Sequence, residues 1–176
     1  MLGYYASFPE NIHGIALFAT SISKRRLQQA LTKVLYKANN ETFSLEDVGY
    51  PSIPQCKVIF EFGIAEANSF NYLDNEEASR IGKSIRKKPF QVMDFLCAIR
   101  YYKTKDKKKT PLKFDYYMLR FTFNKKSTEI QVFHERGPRH VAPEDAANFI
   151  VNRINETFSK KILKAFKASS SFSREP

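Results

Sequence analysis

The chain of 176 residues contains no tryptophan, two cysteines and three histidines. The cysteines, Cys56 and Cys97, lie in separate apolar runs, so no C-x-x-C pair exists and a zinc ribbon or thioredoxin-type site is excluded. We expect both to be buried, reduced thiols, which fits a reducing compartment. The sequence therefore predicts an intracellular protein, cytoplasmic or nuclear.

Long apolar runs are missing as well. The first twenty residues have no basic region, and Pro9, Glu10 and His13 interrupt their apolar residues. This pattern is not that of a signal peptide, and no stretch approaches the ~18 apolar residues of a membrane helix. We predict no contact with a membrane.

Sequence motifs typical of enzymes are also absent. There is no Gly-rich phosphate loop, dinucleotide fingerprint, H-E-x-x-H or G-x-S-x-G. The histidines, His13, His134 and His140, have no spacing that indicates a nucleophile–base pair. Four acidic strand residues could face one cleft and bind a metal: Glu61, Asp94, Asp115 and Glu129. Such residues more often lie on a solvated face or pair with neighbours such as Lys57 and Arg120. We predict no catalytic residue, no metal site and no cofactor.

Positive charge is what the chain has in excess. Twenty-nine Lys and Arg residues against 18 Asp and Glu give a formal net charge of +11, and the sequence pI is about 9.6. Such a surface attracts polyanions such as nucleic acid. Much of the charge is concentrated in two stretches, 80–88 and 101–110, each with five basic residues.

Lysines in a loop project into water, because burying an unpaired ammonium group is costly. They suit phosphate backbones, which implies salt-dependent binding with weak sequence specificity. The alternative is a solvated hairpin tip that discourages aggregation at a sheet edge. The predicted nucleic-acid contacts are Lys103, Lys105, Lys107, Lys108 and Lys109, followed by Arg86, Lys87 and Lys88.

Sixteen Phe and nine Tyr residues predict a core rich in rings. Several follow or enter the lysine-rich stretch: Tyr101, Tyr102, Phe114, Tyr116, Tyr117, Phe121 and Phe123. Because successive strand residues point to opposite faces, one set packs under helices and the other could form a platform on which bases stack. A partner protein would cover that face equally well.

Hydrophobic patterning predicts an α+β fold. The predicted strands are 2–9, 13–22, 56–67, 90–103, 112–123 and 127–135, and the predicted helices are 24–38, 75–87 and 143–167. The order ββα–β–α–βββ–α predicts a mainly antiparallel sheet of about six strands, with helices packed on one face and a long C-terminal helix. Residues 1–168 are expected to form a single domain, followed by a flexible tail at 169–176.

The stretch VFHERGPRHVAPED, residues 132–145, allows three interpretations. A metal site has little support, because His134 and Glu135 are strand neighbours that point to opposite faces. The second interpretation is an anion site at a helix N-terminus, formed by Arg136, Arg139 and His140. However, Glu144 and Asp145 occupy the first turn of that helix and would repel an anion. We therefore prefer the third, in which one of the two arginines pairs with these carboxylates and braces the strand against the helix.

These features favour a non-catalytic basic module that contacts nucleic acid, RNA or DNA, mainly through phosphates, as a subunit of an intracellular nucleoprotein or regulatory assembly. A second hypothesis is a protein-interaction or scaffold subunit of a multiprotein complex, which docks a partner protein through an aromatic sheet face or the C-terminal helix. A third is a small enzyme acting on an anionic substrate.

Overall fold

The computed structural model describes residues 1–166, which form nine strands and four helices. In chain order these are β1 (Gly14–Thr20), α1 (Lys24–Ala38), β2 (Thr42–Ser44), α2 (Leu45–Val48), β3 (Cys56–Glu66), β4 (Ser69–Tyr72), α3 (Asn75–Lys87), β5 (Val92–Lys105), β6 (Lys108–Pro111), β7 (Asp115–Phe123), β8 (Ser127–Arg136), α4 (Pro143–Glu156) and β9 (Leu163–Ala165). The predicted tail, 169–176, lies outside the described residues.

The strands form one antiparallel sheet in the spatial order β2-β3-β5-β7-β8-β1-β9, with β4 paired to β3 and β6 paired to β5. The prediction of an α+β fold with an antiparallel sheet is confirmed, but the predicted number of about six strands is wrong. The short strands β2, β4, β6 and β9, of three or four residues each, were missing from the prediction. That length is too short to show the alternation of apolar and polar residues that indicates a strand.

The helices pack on one side of the sheet, which we call the helix face. Met93 and Phe95 of β5 are fully buried there, whereas Leu96 on the opposite face is only half-buried. Leu31 and Leu35 of α1 are also fully buried and belong to the same apolar cluster. We call the opposite side of the sheet the open face. Within residues 1–166, no helix has both the length and the apolar character needed to cross a membrane.

Two helices lie where the sequence predicts them. The first, α1, begins after Ser23 and α3 begins after Asp74, and each side chain accepts a hydrogen bond from the N–H of the third helical residue, at 3.2 and 2.8 Å. These caps satisfy donors that the first helical turn leaves free. Buried Gln28 of α1 then fixes the chain after α3, because its amide donates to Phe90 O at 2.7 Å and accepts from Phe90 N at 2.8 Å.

The predicted long C-terminal helix is wrong. Helix α4 begins at Pro143, as predicted, but ends at Glu156, and the following residues turn back to form β9 beside β1. The Asn155 side chain holds this turn, since it accepts from the N–H groups of Ile162 and Leu163, both at 3.0 Å. Ile162 and Leu163 are at most 3% exposed. Their apolar character, which predicts a continued helix, therefore reflects burial in a turn and an edge strand.

The predicted strand at residues 2–9 is also wrong. Leu2 makes one isolated β-bridge with Glu66, and Gly3 then adopts a φ of +86°, which favours glycine and ends the extended structure. The N–H and C=O groups of Gly3 bond to backbone groups of β3 and β5, both at 2.7 Å. The N-terminal residues therefore bridge β3 and β5 instead of forming a strand of their own.

After Gly3, the chain covers one region of the open face around an ion pair. Fully buried Asp94 binds the Arg120 guanidinium through two contacts of 2.8 Å. Both side chains also hold the backbone of Tyr5, whose N–H donates to Asp94 at 2.7 Å and whose C=O accepts from Arg120 at 3.1 Å. The Arg120 guanidinium lies 5.0 and 4.4 Å from the ring centroids of Tyr4 and Phe8. We call these five residues the covered cluster.

Candidate nucleic-acid interface

The lysines predicted to contact nucleic acid lie on a hairpin formed by β5 and β6. Its two-residue turn, Asp106-Lys107, has positive φ at both positions, 50° and 64°, as in a type I′ turn. Lys105 pairs directly with Lys108 across the turn, so their like charges favour orientation into solvent. The exposed lysines are Lys103, Lys105, Lys107, Lys108 and Lys109. We call residues 103–109 the lysine hairpin.

The second predicted basic stretch lies elsewhere. Arg86 and Lys87 end α3, Lys88 follows, and all three are exposed. They precede β5, whereas the lysine hairpin is formed at its other end. Because β5 has 14 residues, the two stretches are separated by roughly 40 Å. They do not form one continuous patch.

Two arginines and two aromatic rings lie side by side on the open face, next to the lysine hairpin. The guanidinium carbon of Arg100 is 4.9 Å from the Phe114 ring centroid, and that of Arg136 is 4.5 Å from the Tyr116 centroid. The two ring centroids are 6.1 Å apart. Arg136 is exposed, the Arg100 side chain is 39% exposed and paired with Glu61, and both rings are half-buried. We call the two arginines and two rings the open cluster.

The structure divides the predicted aromatic residues between the two faces. Those buried on the helix face are Tyr101, Tyr117, Phe121 and Phe123, and those left half-buried are Tyr102, Phe114 and Tyr116. The half-buried set lies at the end of the sheet that carries the lysine hairpin. Rings and positive charge are therefore adjacent on the surface. A cation and an aromatic face attract each other, so a ligand could contact both.

The position of Arg136 depends on a β-bulge. In β8, His134 pairs with Tyr117 and Arg136 pairs with Tyr116, so Glu135 is an extra residue in the register. Strict alternation would place Arg136 on the helix face together with His134. The bulge instead places it on the open face over Tyr116. The sequence prediction missed this contact because alternation assumes unbroken pairing.

Below the open cluster, a fully buried carboxylate organises residues 132–145. Asp115 accepts hydrogen bonds from the Tyr101 hydroxyl at 2.5 Å and from the His140 N–H at 2.8 Å. It also accepts from the Arg139 N–H at 2.6 Å and lies 2.8 Å from Nε2 of His134. We call residues 137–142, which connect β8 to α4, the corner. The backbone donors that a phosphate could use at the corner are thus occupied by the protein's own carboxylate.

The side chains of the predicted anion site do not converge. Arg136 belongs to the open cluster, whereas Arg139, at a φ of +57°, donates its backbone N–H to Asp115. The His140 ring packs edge-on against Tyr101, with 4.8 Å between centroids. An external anion at this corner would therefore compete with Asp115 for the same donors.

The predicted brace between these arginines and the first turn of α4 is wrong. Within residues 1–166, neither Arg136 nor Arg139 forms an ion pair with Glu144 or Asp145. Asp145 packs instead against Gly49, where an added Cβ would lie 2.9 Å from its Oδ2. Burial, followed by the charge of Glu144, raises the pKa of Asp145.

The buried polar groups near Asp115 are hydrogen-bond donors. Burial, together with the nearby Asp115 carboxylate, raises the pKa of the Tyr101 and Tyr117 hydroxyls. Both therefore stay protonated at neutral pH, and Tyr117 donates to Val141 O. Burial likewise raises the pKa of the Cys97 thiol. Activation of a nucleophile requires the opposite shift, so these groups are suited to anchoring the corner.

The four acidic strand residues do not face one cleft. Asp115 lies on the helix face and Asp94 on the open face, while Glu61 pairs with Arg100 and Glu129 accepts from Gln131. The burial of Asp115 has a signal in the sequence, because it shares alternate positions of β7 with three buried apolar residues: Leu119, Phe121 and Phe123. The charge of Asp115 favours a solvated position, whereas this alternation indicates burial.

A groove of about 560 Å³ between α4 and the β2–α2 segment has the opposite charge. Its acidic lining residues are Glu41, Glu46, Asp47, Asp145 and Glu156. Arg153 also lines it and pairs with Glu41 at 3.1 Å. Its excess of carboxylates disfavours the approach of polyanions to this groove.

The lysine hairpin and the open cluster together form the candidate interface. Arg100 shares its face of β5 with Thr104, which pairs with Lys109, and Phe114 follows β6 by three residues, so the two parts meet on the open face through Lys109. The hairpin supplies flexible point charges and the cluster supplies planar cations and rings. No protein-family model, curated protein or solved structure matches the chain.

Proposed function

We propose that this protein binds nucleic acid mainly through its phosphates, as a non-catalytic component of a nucleoprotein or regulatory assembly. The observation that carries the proposal is the adjacency of the lysine hairpin and the open cluster at one end of the sheet. Exposed lysines neutralise phosphates without reading bases, and arginines next to rings favour contact with nucleotides.

The lysine hairpin is suited to this role because its charges are not neutralised locally. Among residues 1–166, none of its lysines forms an ion pair with a carboxylate. Each lysine that contacts a phosphate releases a counterion, so affinity falls steeply as salt increases. Asp106 is the one acidic residue of the hairpin. Binding should therefore depend strongly on salt and weakly on sequence.

The proposal is tested by measuring how nucleic-acid affinity depends on salt in a variant whose hairpin lysines are replaced. The test variant replaces Lys103, Lys105, Lys107, Lys108 and Lys109 with Gln. The control variant makes the same change at five exposed lysines on the helix side or at the far edge: Lys33, Lys37, Lys160, Lys161 and Lys164. We expect the slope of log affinity against log salt to become shallower by about one for each hairpin lysine that contacts a phosphate. The control should keep the wild-type slope. No binding at low salt, or equal loss in both variants, would contradict the proposal.

A second candidate function is the docking of a protein partner. The observation that favours it is a cross-strand row of apolar side chains, Leu96, Met118 and Phe133, which stay half-buried in the middle of the open face. Aggregation of the isolated chain, relieved by Met118→Lys, together with no affinity for oligonucleotides, would favour this function over the first.

A further inference from the structure

We infer that the open cluster binds unpaired bases, so that the ligand is a single-stranded nucleic acid held with little sequence preference. This inference rests on the proposed function and names its ligand class. It concerns Arg100, Phe114, Tyr116 and Arg136, whereas the proposed function depends on the lysine hairpin.

The first support is the kind of surface that the open cluster offers. Each ring carries a guanidinium over it, with the guanidinium carbon 4.9 or 4.5 Å from the centroid. Arg136 is exposed, and the Arg100 side chain is 39% exposed. Planar cations and aromatic faces are the groups on which bases stack, and stacking accepts every base because each has a π face.

The second support is the spacing of the rings. Phe114 and Tyr116 are two positions apart in the chain, and their centroids are 6.1 Å apart on the same face. This is the separation of neighbouring same-face positions on a strand, about 6–7 Å. Two consecutive bases of an extended strand could therefore each meet one ring–guanidinium pair.

The third support is the depth at which a nucleic acid carries its bases, which differs between a single strand and a duplex. The base edges of B-DNA lie at the floor of grooves about 7.5–8.5 Å deep. The rings of Phe114 and Tyr116 are half-buried in a sheet face, so only part of each ring is available to enter a groove. A single strand presents its bases directly, so it can use these rings.

The covered cluster supplies the fourth support, because it shows the same interaction completed within the chain. There, the Arg120 guanidinium lies within 5.0 Å of the centroids of two rings, Tyr4 and Phe8, contributed by the N-terminal residues. The open face of this sheet thus already accepts flat rings on a guanidinium. At the open cluster, bases would take the place that the N-terminal rings take at the covered cluster.

The experiment compares ligands that share phosphates but differ in their bases. Fluorescence anisotropy at one low salt concentration would measure binding of a labelled strand of about 12 nucleotides, as DNA and as RNA, its fully abasic counterpart and the matching duplex. We expect the intact strand to bind about tenfold more tightly than the abasic strand, and more tightly than the duplex. The ratio of the DNA and RNA affinities identifies the preferred sugar.

A double variant, Phe114→Leu with Tyr116→Leu, removes the rings and retains apolar side chains. It should lose the preference for the intact strand while binding the abasic strand as the wild type does. The matched control, Tyr50→Leu with Tyr72→Leu, removes two exposed rings outside the open cluster and should retain the preference. A thermal unfolding curve establishes that each variant is folded.

Failure of the inference differs from failure of the proposed function. Equal binding of intact and abasic strands by the wild type, or tighter binding of the duplex, overturns the inference and leaves phosphate binding in place. This comparison needs no variant, so an unfolded variant cannot rescue the idea. Absence of binding to every strand at low salt overturns the proposed function and the inference together.

Discussion

The covered and open clusters combine arginine with aromatic rings on the same sheet face, but they differ in what lies over them. Arg120 is 20% exposed, pairs with fully buried Asp94 and is overlain by two rings of the N-terminal residues. In the open cluster, Arg136 is exposed, and Arg100 pairs with Glu61, whose side chain is itself 36% exposed. One cluster is desolvated, and the other is in contact with solvent.

The difference in solvent contact gives the two clusters different roles: the covered cluster is structural, whereas the open cluster is accessible to a ligand. Desolvation strengthens a charge–charge contact and makes its loss costly, because a remaining partner is left buried without compensation. An exposed pair contributes little to stability, since water and salt screen it. The same residue types can therefore stabilise the fold at one end of the sheet and bind a partner at the other.

The largest expected effect comes from removing the carboxylate of each cluster in turn. Asp94→Asn leaves the Arg120 charge largely buried without its partner, and should lower the free energy of unfolding by about 3 kcal/mol. Glu61→Gln removes the exposed partner of Arg100 and should lower it by less than about 1 kcal/mol. Urea unfolding of both variants at neutral pH measures the two losses. Equal losses would show that the clusters do not differ in desolvation.

The next largest effect tests whether the backbone at Gly137, in the corner beside the open cluster, is constrained. Gly137 has a φ of +112°, and an added Cβ would lie 2.2 Å from Phe114 O. Gly137→Ala should therefore strain the corner and lower the free energy of unfolding by about 2 kcal/mol.

The matched control is Gly82→Ala within α3, where the nearest heavy atom to an added Cβ is Arg86 Nη1 at 3.8 Å. There the same substitution should stabilise the protein by about 0.5–1 kcal/mol, because alanine favours a helix. Thermal unfolding curves of the two variants show whether Gly137→Ala lowers and Gly82→Ala raises the stability of the protein. A stabilising Gly137→Ala would mean that the turn is not constrained as described.

The fold was predictable where a single pattern extended over many residues. Both α1 and α3 follow from apolar spacing and N-caps, and the long strands follow from alternation. The errors occur where a side chain at a distance in the sequence overrides the local pattern. Asn155 turns the chain out of its predicted helix, and Asp94 and Arg120 hold the backbone of Tyr5 out of its predicted strand.

The candidate site was predictable in its charge but not in its geometry. The lysines of the hairpin are exposed because ammonium groups avoid burial, as the sequence predicts. The open cluster depends on a bulge at Glu135, and the corner depends on Asp115 binding N–H groups more than 20 residues away. No local pattern encodes these contacts, because they arise only once β7 and β8 are paired.

A smaller effect distinguishes planar from spherical cations in the open cluster. Arg136→Lys keeps the charge but loses the planar group over Tyr116, and should weaken binding of single-stranded DNA by about two- to fivefold. Arg26→Lys is the control, since Arg26 lies 5.5 Å from the Phe158 centroid, away from the open cluster. It should leave the affinity unchanged. Equal affinities for both variants and the wild type would show that charge alone matters.

The smallest effect is a pH dependence at His13, where the N-terminal residues reach β1. Its Nδ1 accepts from the His134 N–H at 2.8 Å, and its ring stacks on Phe133. Burial, followed by the charge of Arg139 and then His134, lowers the pKa of His13 below 6.5. Above pH 6.5, the ordinary pKa that applies to the unfolded chain, His13 is neutral in the folded and the unfolded state, and its contribution to stability is complete. As pH falls, the unfolded chain binds the proton first, so this contribution is lost.

The test compares urea midpoints at about pH 7.5 and about pH 5.5 for the wild type and His13→Asn. Asparagine keeps an acceptor for the His134 N–H but does not titrate, so the wild type should lose more stability on acidification than the variant. The raised pKa of Asp145 acts in the opposite direction, because protonation relieves its buried charge, and it is common to both chains. The difference between the two chains therefore isolates His13. An equal loss in both would mean that protonation does not disturb the contact between the N-terminal residues and β8.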